Sequence, residues 1–302
     1  MKKPLIFEMK GNSLDDGPGI RTVIFMKGCP LSCVWCHNPE GMRPGPEHSY
    51  DSKECIGCLT CVNTCSNHAI NGDCGNLRID RSRCSECHTC ISVCPTGALD
   101  IVGREMSIER VLSEVMKDKP FFETSGGGVT LSGGEPTMFM DFSSELLKEC
   151  KRLGIDTLLE TCGLFEIDRF LEKMIPWLDM IYFDIKLIDS TEHRKYCGTA
   201  NEKIIENFRT LCFMNQVQIL PRVPLVPGIT DTYSNLNAIA RFLVSCKVRK
   251  VRLLAYNPLW PEKLAKFSGQ NRHVPEEMKK FIKPENIQSY HEIFTSLGIE
   301  TI

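Results

Sequence analysis

The chain has 302 residues, of which 42% are hydrophobic and 25% are charged, and its formal net charge is −2. This composition is sufficient for a hydrophobic core, and no block of basic residues indicates a nucleic acid or an anionic membrane as a partner. No run of about 18 apolar residues is present, and the first residues do not form a signal-peptide pattern. We therefore expect a soluble, cytoplasmic protein.

In chain order, short apolar runs alternate with helical patterns. The predicted strands are 22–26, 129–131, 155–159, 180–183, 217–220 and 248–254. The helices between them are predicted to have N-caps at Ser107, Asp141, Asp168, Ser190, Asn201 and Asp231 or Thr232. The first predicted helix is 108–117. The second ends near residue 153, where Gly154 stops it. The last helical region is 275–297, and a final strand is predicted at 299–302.

A repeated strand–helix pattern implies a parallel sheet with right-handed crossovers, and hence an α/β fold. About six such units favour a partial (β/α)6 TIM-like barrel over a closed barrel, which needs eight. Active sites of such barrels form where the strands end, so polar residues at these ends are candidates for function.

The cysteines depart most from an ordinary composition. There are 17, and twelve of them lie between Cys29 and Cys94. In an intracellular chain of this length, such a density indicates metal or redox chemistry rather than disulfides. We predict three segments: 1–48 as the first part of the catalytic core, 49–100 as a cysteine-rich insert, and 101–302 as the rest of the core.

The insert contains a duplicated cysteine pattern. The spacing C-x-x-C-x-x-C-x-x-x-C matches the bacterial two-cluster ferredoxin, in which the fourth cysteine of each run binds the other cluster. Ser66 replaces the proline that usually follows the first run, and zinc is the less favoured alternative. One 4Fe–4S cluster is thus assigned to Cys55, Cys58, Cys61 and Cys94, and the other to Cys84, Cys87, Cys90 and Cys65. Cys74 stays unassigned, with a plain buried thiol favoured over a spare ligand.

A third group of cysteines follows the first predicted strand. Cys29, Cys33 and Cys36 have the spacing C-x-x-x-C-x-x-C, and three thiolates this close fit a loop wrapped around a cubane cluster. A saturated 4Fe–4S cluster needs four protein ligands, so one iron is left for an external ligand. The alternatives are a zinc site or unconnected core thiols.

This triplet resembles the signature loop of the radical S-adenosylmethionine (SAM) superfamily. The resemblance implies that SAM binds the free iron and is cleaved by one electron to a 5′-deoxyadenosyl radical. It also implies that Trp35 lies against the adenine, followed by His37, although core packing is an alternative for Trp35.

Polar groups at four predicted strand ends extend this resemblance. Gly133-Gly-Glu-Pro136 is similar to the segment of the family that binds the amino end of SAM, which makes Gly134 and Glu135 candidates. Further candidates lie at Glu160, at Asp184-Ile185-Lys186 and at Asn257, with solvated strand ends as the alternative. Lys186 is expected to reach the SAM carboxylate or the substrate backbone. Glu160 and Asp184 are expected to bind a monovalent cation or the SAM hydroxyls.

Together these motifs resemble the activating enzymes of glycyl radical enzymes, including the activator of pyruvate formate-lyase. The segments that carry the resemblance are 16–29, 132–136, 160–163, 184–186, 222–228 and 253–257. Two departures are Glu160, where that activator has Asp, and Asn257, where it has His. Of the remaining cysteines, Cys150, Cys197, Cys212 and Cys246 are expected to be ordinary, and Cys162 is the exception because it lies within a site segment.

The resemblance implies hydrogen abstraction from a glycine of a partner glycyl radical enzyme, with three 4Fe–4S clusters and SAM as cofactors. It also implies flavodoxin or ferredoxin as the electron donor, with the insert as an electron relay or as a structural module. Two alternatives remain open. One is a radical SAM enzyme that acts on another peptide or a small molecule, and the other is a non-catalytic electron-transfer subunit.

Overall fold

The computed structural model describes residues 3–73, 76–268 and 275–302. The strands, in chain order, are β1 (Leu5–Ser13), β2 (Arg21–Met26), β3 (Glu47–Tyr50), β4 (Ile70–Asn71), β5 (Arg78–Ile79), β6 (Leu99–Val102), β7 (Arg104–Glu105), β8 (Gly128–Gly133), β9 (Asp156–Thr161), β10 (Met180–Asp184), β11 (Gln218–Leu225), β12 (Lys250–Ala255) and β13 (Glu300–Thr301). The helices are α1 (Thr60–Thr64), α2 (Thr89–Ser92), α3 (Ile108–Val115), α4 (Lys119–Ser125), α5 (Met140–Arg152), α6 (Ile167–Lys173), α7 (Ser190–Cys197), α8 (Glu202–Met214), α9 (Tyr233–Ser245), α10 (Trp260–Ser268) and α11 (Pro284–Thr295). Short 3-10 helices lie at Pro39–Gly41, Pro136–Phe139, Ile175–Trp177 and Glu276–Lys279.

The central sheet is open and mostly parallel. Its strand order is β13-β12-β11-β10-β9-β8-β2-β1-β7, and the strands from β13 to β2 are parallel. The six predicted strands and the last strand are therefore confirmed. The antiparallel edge of β1 and β7 was not predicted, because only Ile6 and Ser13 of β1 are buried and charged residues interrupt its apolar ones. None of the helices described here has the length and apolar composition that crossing a bilayer requires.

The predicted helix starts are confirmed at two positions. The side chain of Ser107 accepts a hydrogen bond from Arg110 N at the start of α3, and that of Thr232 accepts one from Asn235 N at the start of α9. Asn201 lies at the N-cap position of α8, but its amide nitrogen instead donates to backbone carbonyls before the helix.

Three other caps were predicted wrongly. Asp141, Asp168 and Ser190 lie inside the first turn, because their helices begin one or two residues earlier than expected. Asp141 instead forms ion pairs with Arg169 and Lys173 of α6. From the sequence alone, the carboxylate of Asp141 was equally suited to capping a helix, but in the folded protein it forms ion pairs with another helix.

The cysteine-rich segment is framed by an antiparallel ribbon. Strands β3 and β6 pair from Glu47↔Val102 to Tyr50↔Leu99, and α1, β4, β5 and α2 lie between them in the chain. The hydrophobic cluster of this segment has only a few buried members, which are Cys61, Ile70, Leu77 and Leu99. Several of its other cysteines pack against this cluster, so thiols replace much of an ordinary apolar core. Cys74 lies outside the described residues.

A buried ion pair joins this ribbon to the central sheet. Lys27 follows β2, and its fully buried Nζ lies 2.9 Å from Oε2 of Glu47 on β3. The same Nζ donates to the carbonyl of Glu40. Lys27 therefore fixes the first residue of the ribbon against the end of β2, two residues before Cys29.

We predict that Lys27→Met lowers the free energy of unfolding by about 3–5 kcal/mol, because it leaves the buried carboxylate of Glu47 with only the exposed Arg43, at 3.8 Å, as an ion-pair partner. The control is Lys250→Met, which removes an ion pair with Glu300 that is largely exposed and is worth at most about 1 kcal/mol. Anaerobic urea unfolding of both variants measures the difference. Equal stability of the two variants would contradict the structural role of Lys27.

Candidate active site

The ends of the parallel strands enclose one cavity together with the loop that follows β2. Its volume is about 370 Å³, and its walls include residues at the carboxyl ends of β8, β9, β10, β11 and β12. Strand ends that are separated in the sheet order meet around this space, so the sheet curves about it. Among the predicted site residues, those that line it are Cys29, Cys33, Trp35, Cys36, His37, Gly134, Glu160, Asp184 and Lys186. Glu135, Ile185 and Asn257 are not among its lining residues.

The loop of Cys29, Cys33 and Cys36 is held by backbone hydrogen bonds on two sides. On one side, Gly28 N donates to Gly41 O at 2.8 Å and Cys29 N donates to Met42 O at 3.1 Å. On the other side, Ser32 N donates to the carbonyl of Cys197 at 2.8 Å, and Val34 N to that of Tyr196 at 3.0 Å. These bonds place all three predicted ligand side chains on the wall of one cavity.

Gly134 follows β8 and packs closely against this loop. A Cβ atom there would lie 2.2 Å from Gly28 O and 2.5 Å from Gly41 O, which is closer than atoms of this kind approach. Only glycine fits this contact without moving the backbone. Besides lining the cavity, Gly134 therefore sets the spacing between β8 and the cysteine loop.

Glu135 is completely buried and bonds to the protein itself. Its Oε1 accepts hydrogen bonds from the Thr137 backbone and from the hydroxyls of Thr137 and Thr161, and its Oε2 accepts one from Cys162 N at 2.7 Å. Its own backbone N–H donates to Gly28 O at 2.7 Å. This geometry does not support the prediction that Glu135 binds a ligand directly. Glu135 instead connects β8, β9 and the cysteine loop through its hydrogen bonds.

A chain of charged groups crosses four strand ends. The guanidinium of Arg222 on β11 bonds to Glu160 on β9, and its Nη2 lies 2.8 Å from Oδ1 of Asp184 on β10. Ser132 on β8 donates to Glu160 at 2.6 Å, and Lys186 Nζ lies 3.1 Å from Asp184 Oδ2. The predicted residues Glu160, Asp184 and Lys186 are thus brought together by Arg222, which orients both carboxylates.

Burial and ion pairing act on these groups in opposite directions. Burial raises the pKa of Glu160, against the opposing charge of Arg222. Burial alone would raise the pKa of Asp184 as well, but Arg222 and Lys186 outweigh it and hold that pKa below its usual value. Burial would lower the pKa of Lys186, and the carboxylate of Asp184 reverses this and raises it. Asp184 and Lys186 therefore both stay charged near neutral pH.

Aromatic rings form another part of the wall. Trp35 is 4% exposed and belongs both to the cavity wall and to the main hydrophobic core. The ring of His37 lies 5.7 Å, between centroids, from that of Tyr256, which follows β12 and also lines the cavity. The side chain of Asn257 is exposed and accepts a hydrogen bond from Leu259 N at 3.0 Å. The strand end that was predicted to contribute Asn257 thus contributes its neighbour.

Two further cysteines lie beside the triplet. The side chain of Cys162 lies beside that of Cys29, and the side chain of Cys197 beside that of Cys33. Both are buried, Cys162 after β9 and Cys197 at the end of α7. Cys197 belongs to the main hydrophobic core, as expected, and in addition it lies next to the cysteine loop.

Each of two small cavities in the cysteine-rich segment is lined by four cysteines. One contains Cys65, Cys84, Cys87 and Cys90, and the other contains Cys55, Cys58, Cys61 and Cys94. Each set combines three cysteines of one run with the fourth of the other. The two runs also share local geometry, because Thr60 and Thr89 each donate to a cysteine sulfur at 3.4 Å.

The described residues contain no cluster of three or more His, Cys, Asp or Glu side chains arranged for a single metal ion. The cysteines instead line the walls of three cavities. The donor set, which is cysteine sulfur at all three places, suits iron–sulfur clusters.

Sequence reasoning missed Arg222, Ser132 and Tyr256 as site residues. Arg222 lies in a motif that was noted for its family resemblance, and an arginine inside an otherwise apolar strand was a usable signal for it. Ser132 and Tyr256 also lie in segments that were noted for this resemblance, but only the folded structure shows which side chains at a strand end face the cavity.

Comparison with known proteins gives consistent matches. A model of the radical SAM superfamily matches residues 81–242, a 4Fe–4S dicluster model residues 54–98, and a 4Fe–4S single-cluster model residues 15–72. The chain is 37% identical over 298 residues to the trans-4-hydroxy-L-proline dehydratase activating enzyme of Clostridioides difficile, covering 95% of this chain and 98% of that protein. It is 40% identical over 248 residues to the benzylsuccinate synthase activating enzyme of Thauera aromatica, covering 80% and 75%. Among solved structures, a radical SAM methyltransferase from Sphaerobacter thermophilus is similar in fold, with a TM-score of 0.55 at 12% identity over 100% of this chain and 77% of that one.

We predict that Gly134→Ala loosens the cysteine loop, because the added methyl group must push Gly28 and Gly41 away. Hydrogen exchange followed by mass spectrometry should show faster exchange of the amides of Gly28, Cys29 and Glu135, which bond across this contact. Gly45→Ala is the control, since a Cβ there meets no atom within 4 Å. Exchange in the Gly134 variant as slow as in the control would show that this contact does not hold the loop.

Proposed function

The chain belongs to the radical SAM superfamily and, within it, to the activating enzymes of glycyl radical enzymes, and on this basis we propose which of its residues carry out the activation. Its activity is reductive cleavage of SAM followed by hydrogen abstraction from a glycine of a partner glycyl radical enzyme. The observation that carries the residue assignment is that the cysteine loop and the charged strand ends open on the same cavity.

Cys29, Cys33 and Cys36 hold a 4Fe–4S cluster with one iron free for SAM. Their side chains share one wall, and the backbone bonds at Gly28, Cys29, Ser32 and Val34 fix the loop that carries them. When bound, the cluster supplies the electron that splits SAM into methionine and a 5′-deoxyadenosyl radical. The protein contributes by orienting SAM and by excluding water from a radical that would react with it.

SAM carries both positive and negative groups, and the cavity presents both signs of charge. We propose that Lys186 and Arg222 bind the carboxylate, that Asp184 and Glu160 receive polar hydrogens, and that the backbone at Gly134 contacts the amino end. Trp35 and His37 provide the wall for the adenine. Ile185 and Glu135 position other residues of the site. Ile185 N donates to Arg222 O at 2.9 Å, and Glu135 is hydrogen-bonded to the backbone of both Cys162 and Gly28.

A monovalent cation at Glu160 and Asp184 stays a prediction. Both carboxylates already share the guanidinium of Arg222, so a cation at the same oxygens would have to compete with it. Asn257 also stays a prediction, with its side chain turned into the loop after β12.

Residues 49–100 form, in our proposal, an inserted two-cluster ferredoxin domain between the two parts of a partial (β/α)6 barrel, 1–48 and 101–302. Its support is the pair of cavities whose cysteines are exchanged between the runs as the ferredoxin pattern requires. With the cluster of the Cys29 loop, the protein holds three 4Fe–4S clusters. A chain with this many thiolate ligands suits the reducing cytoplasm.

We propose that the insert passes electrons from a flavodoxin or ferredoxin toward the cysteine loop. Strand β3 of the ribbon connects the insert to the cysteine loop, because two neighbouring residues of β3 face in opposite directions. Glu47 pairs with buried Lys27 next to the loop, and His48 shares a hydrogen bond of 3.2 Å with His88, which lies between Cys87 and Cys90. The second cysteine run is therefore in contact with the strand end nearest the loop.

The activity is tested by anaerobic incubation of reconstituted, reduced protein with SAM and a panel of glycyl radical enzymes. The panel includes trans-4-hydroxy-L-proline dehydratase, benzylsuccinate synthase and choline trimethylamine-lyase, whose activators resemble this chain. We expect 5′-deoxyadenosine and, with the right partner, a glycyl doublet in the electron paramagnetic resonance spectrum. Cys33→Ala should abolish both products, and Cys150→Ala, a buried cysteine of α5, should keep both. Deoxyadenosine without a doublet on any partner would favour a small-molecule or peptide substrate, and no deoxyadenosine would disprove the proposal.

The relay is tested by replacing Cys58 and Cys87, one exposed cysteine from each of the two sets, by alanine. We expect SAM cleavage with reduced flavodoxin to fall at least tenfold, whereas binding of SAM to the cysteine-loop cluster persists because that loop is intact. The rate of deoxyadenosine formation and the SAM-induced spectral change measure these two effects separately. Full cleavage with the protein donor would show that the insert is structural only.

A further inference from the structure

We propose that Cys162 and Cys197 are positioning residues whose thiols donate hydrogen bonds to the sulfurs of Cys29 and Cys33 and thereby make the bound cluster easier to reduce. This inference rests on the proposed function, because it concerns the cluster assigned to the cysteine loop. Neither residue belongs to a ligand spacing, and the mechanism outlined above uses neither of them.

Cys162 is held next to Cys29 through Glu135. The backbone N–H of Cys162 donates to Glu135 Oε2 at 2.7 Å, and the backbone N–H of Glu135 donates to Gly28 O at 2.7 Å. Cys162 is 8% exposed and lines the same cavity as Cys29, and its thiol lies beside that of Cys29. The position of this thiol is thus fixed from the strand β9, independently of the loop.

Cys197 is held next to Cys33 from the opposite side. Its carbonyl accepts the hydrogen bond from Ser32 N at 2.8 Å, and the preceding carbonyl accepts that from Val34 N at 3.0 Å. The residue after it is Gly198, where a Cβ would lie 2.0 Å from Ser32 Oγ, so the end of α7 fits tightly against the loop. The Cys197 side chain is 0% exposed and lies beside that of Cys33.

The physical effect follows from charge. Reduction adds one electron to a cluster, and part of the added negative charge resides on its cysteine sulfurs. A hydrogen-bond donor to those sulfurs therefore stabilises the reduced state more than the oxidised state, and hydrogen bonds to sulfur are a known determinant of cluster potential. Two such donors, on two of the three ligands, would favour the electron uptake that SAM cleavage requires.

A role as cluster ligand fits less well than a role as donor. A fourth cysteine ligand would occupy the iron that the proposed function leaves for SAM. Each extra thiol lies beside a cysteine that already serves as a ligand in the proposal. Backbone bonds also hold each extra thiol in place from a different element, β9 in one case and α7 in the other.

The test is a potentiometric titration of the whole, anaerobically reconstituted protein, followed by electron paramagnetic resonance. The component that changes when SAM is added identifies the cluster of the cysteine loop among the three. Cys162→Ala and Cys197→Ala are compared with Cys162→Ser and Cys197→Ser, which keep a donor, and with Cys150→Ala, which removes a buried thiol of α5. Iron is counted in every variant.

We expect each alanine variant to keep the iron content of the native protein and to shift the midpoint potential of this component to a more negative value. At a fixed potential, the ratio of reduced to oxidised cluster should fall about tenfold, as for the loss of one hydrogen bond to a charged group. The serine variants should recover most of the shift, and Cys150→Ala should show none.

Three results would overturn the inference. An unchanged potential in the alanine variants would show that the thiols do not act on the cluster, and a loss of about one cluster of iron would show that they are ligands. An equal shift in the serine variants would show an effect of packing only. If one alanine variant fails to fold, the other and its serine partner decide the question. Absence of any SAM-responsive component in the native protein would instead disprove the proposed function.

Discussion

The site depends on the fixation of one cysteine loop against the carboxyl edge of a curved parallel sheet. Backbone bonds to Gly41 and Met42 hold the start of the loop, and bonds to the end of α7 hold its middle. Gly134 allows β8 to approach it, since any side chain there would overlap backbone atoms. Three thiols on a free loop would sample many arrangements, and this fixation leaves them one.

Charge in the cavity is organised by a single guanidinium. Arg222 reaches Glu160 and Asp184 on two different strands, and Asp184 in turn holds Lys186. Because all these groups are largely buried, each would be unfavourable alone, and their mutual pairing keeps the charges in place. The result is a polar wall that is already arranged before a zwitterionic ligand arrives.

The cysteine-rich segment is stabilised differently from the central sheet. Its hydrophobic cluster is small and partly composed of cysteines, whereas the sheet is packed on a continuous apolar core. A segment of this kind gains much of its folding free energy from the metal clusters it binds. Glu47 and His48 of β3 attach this segment to the end of the strand beside the cysteine loop.

The sequence by itself determined the six core strands, the two starts at Ser107 and Thr232, and the families of the cysteine motifs, because apolar runs and fixed spacings are local properties of the chain. Only the tertiary structure decided that Glu135 faces the protein rather than the cavity, that Tyr256 replaces Asn257 on the wall, and that Arg222 joins two carboxylates. It also placed Cys162 and Cys197 beside Cys29 and Cys33, more than a hundred residues away in the chain. Such contacts depend on the register and curvature of the sheet, which arise from the packing of all strands together.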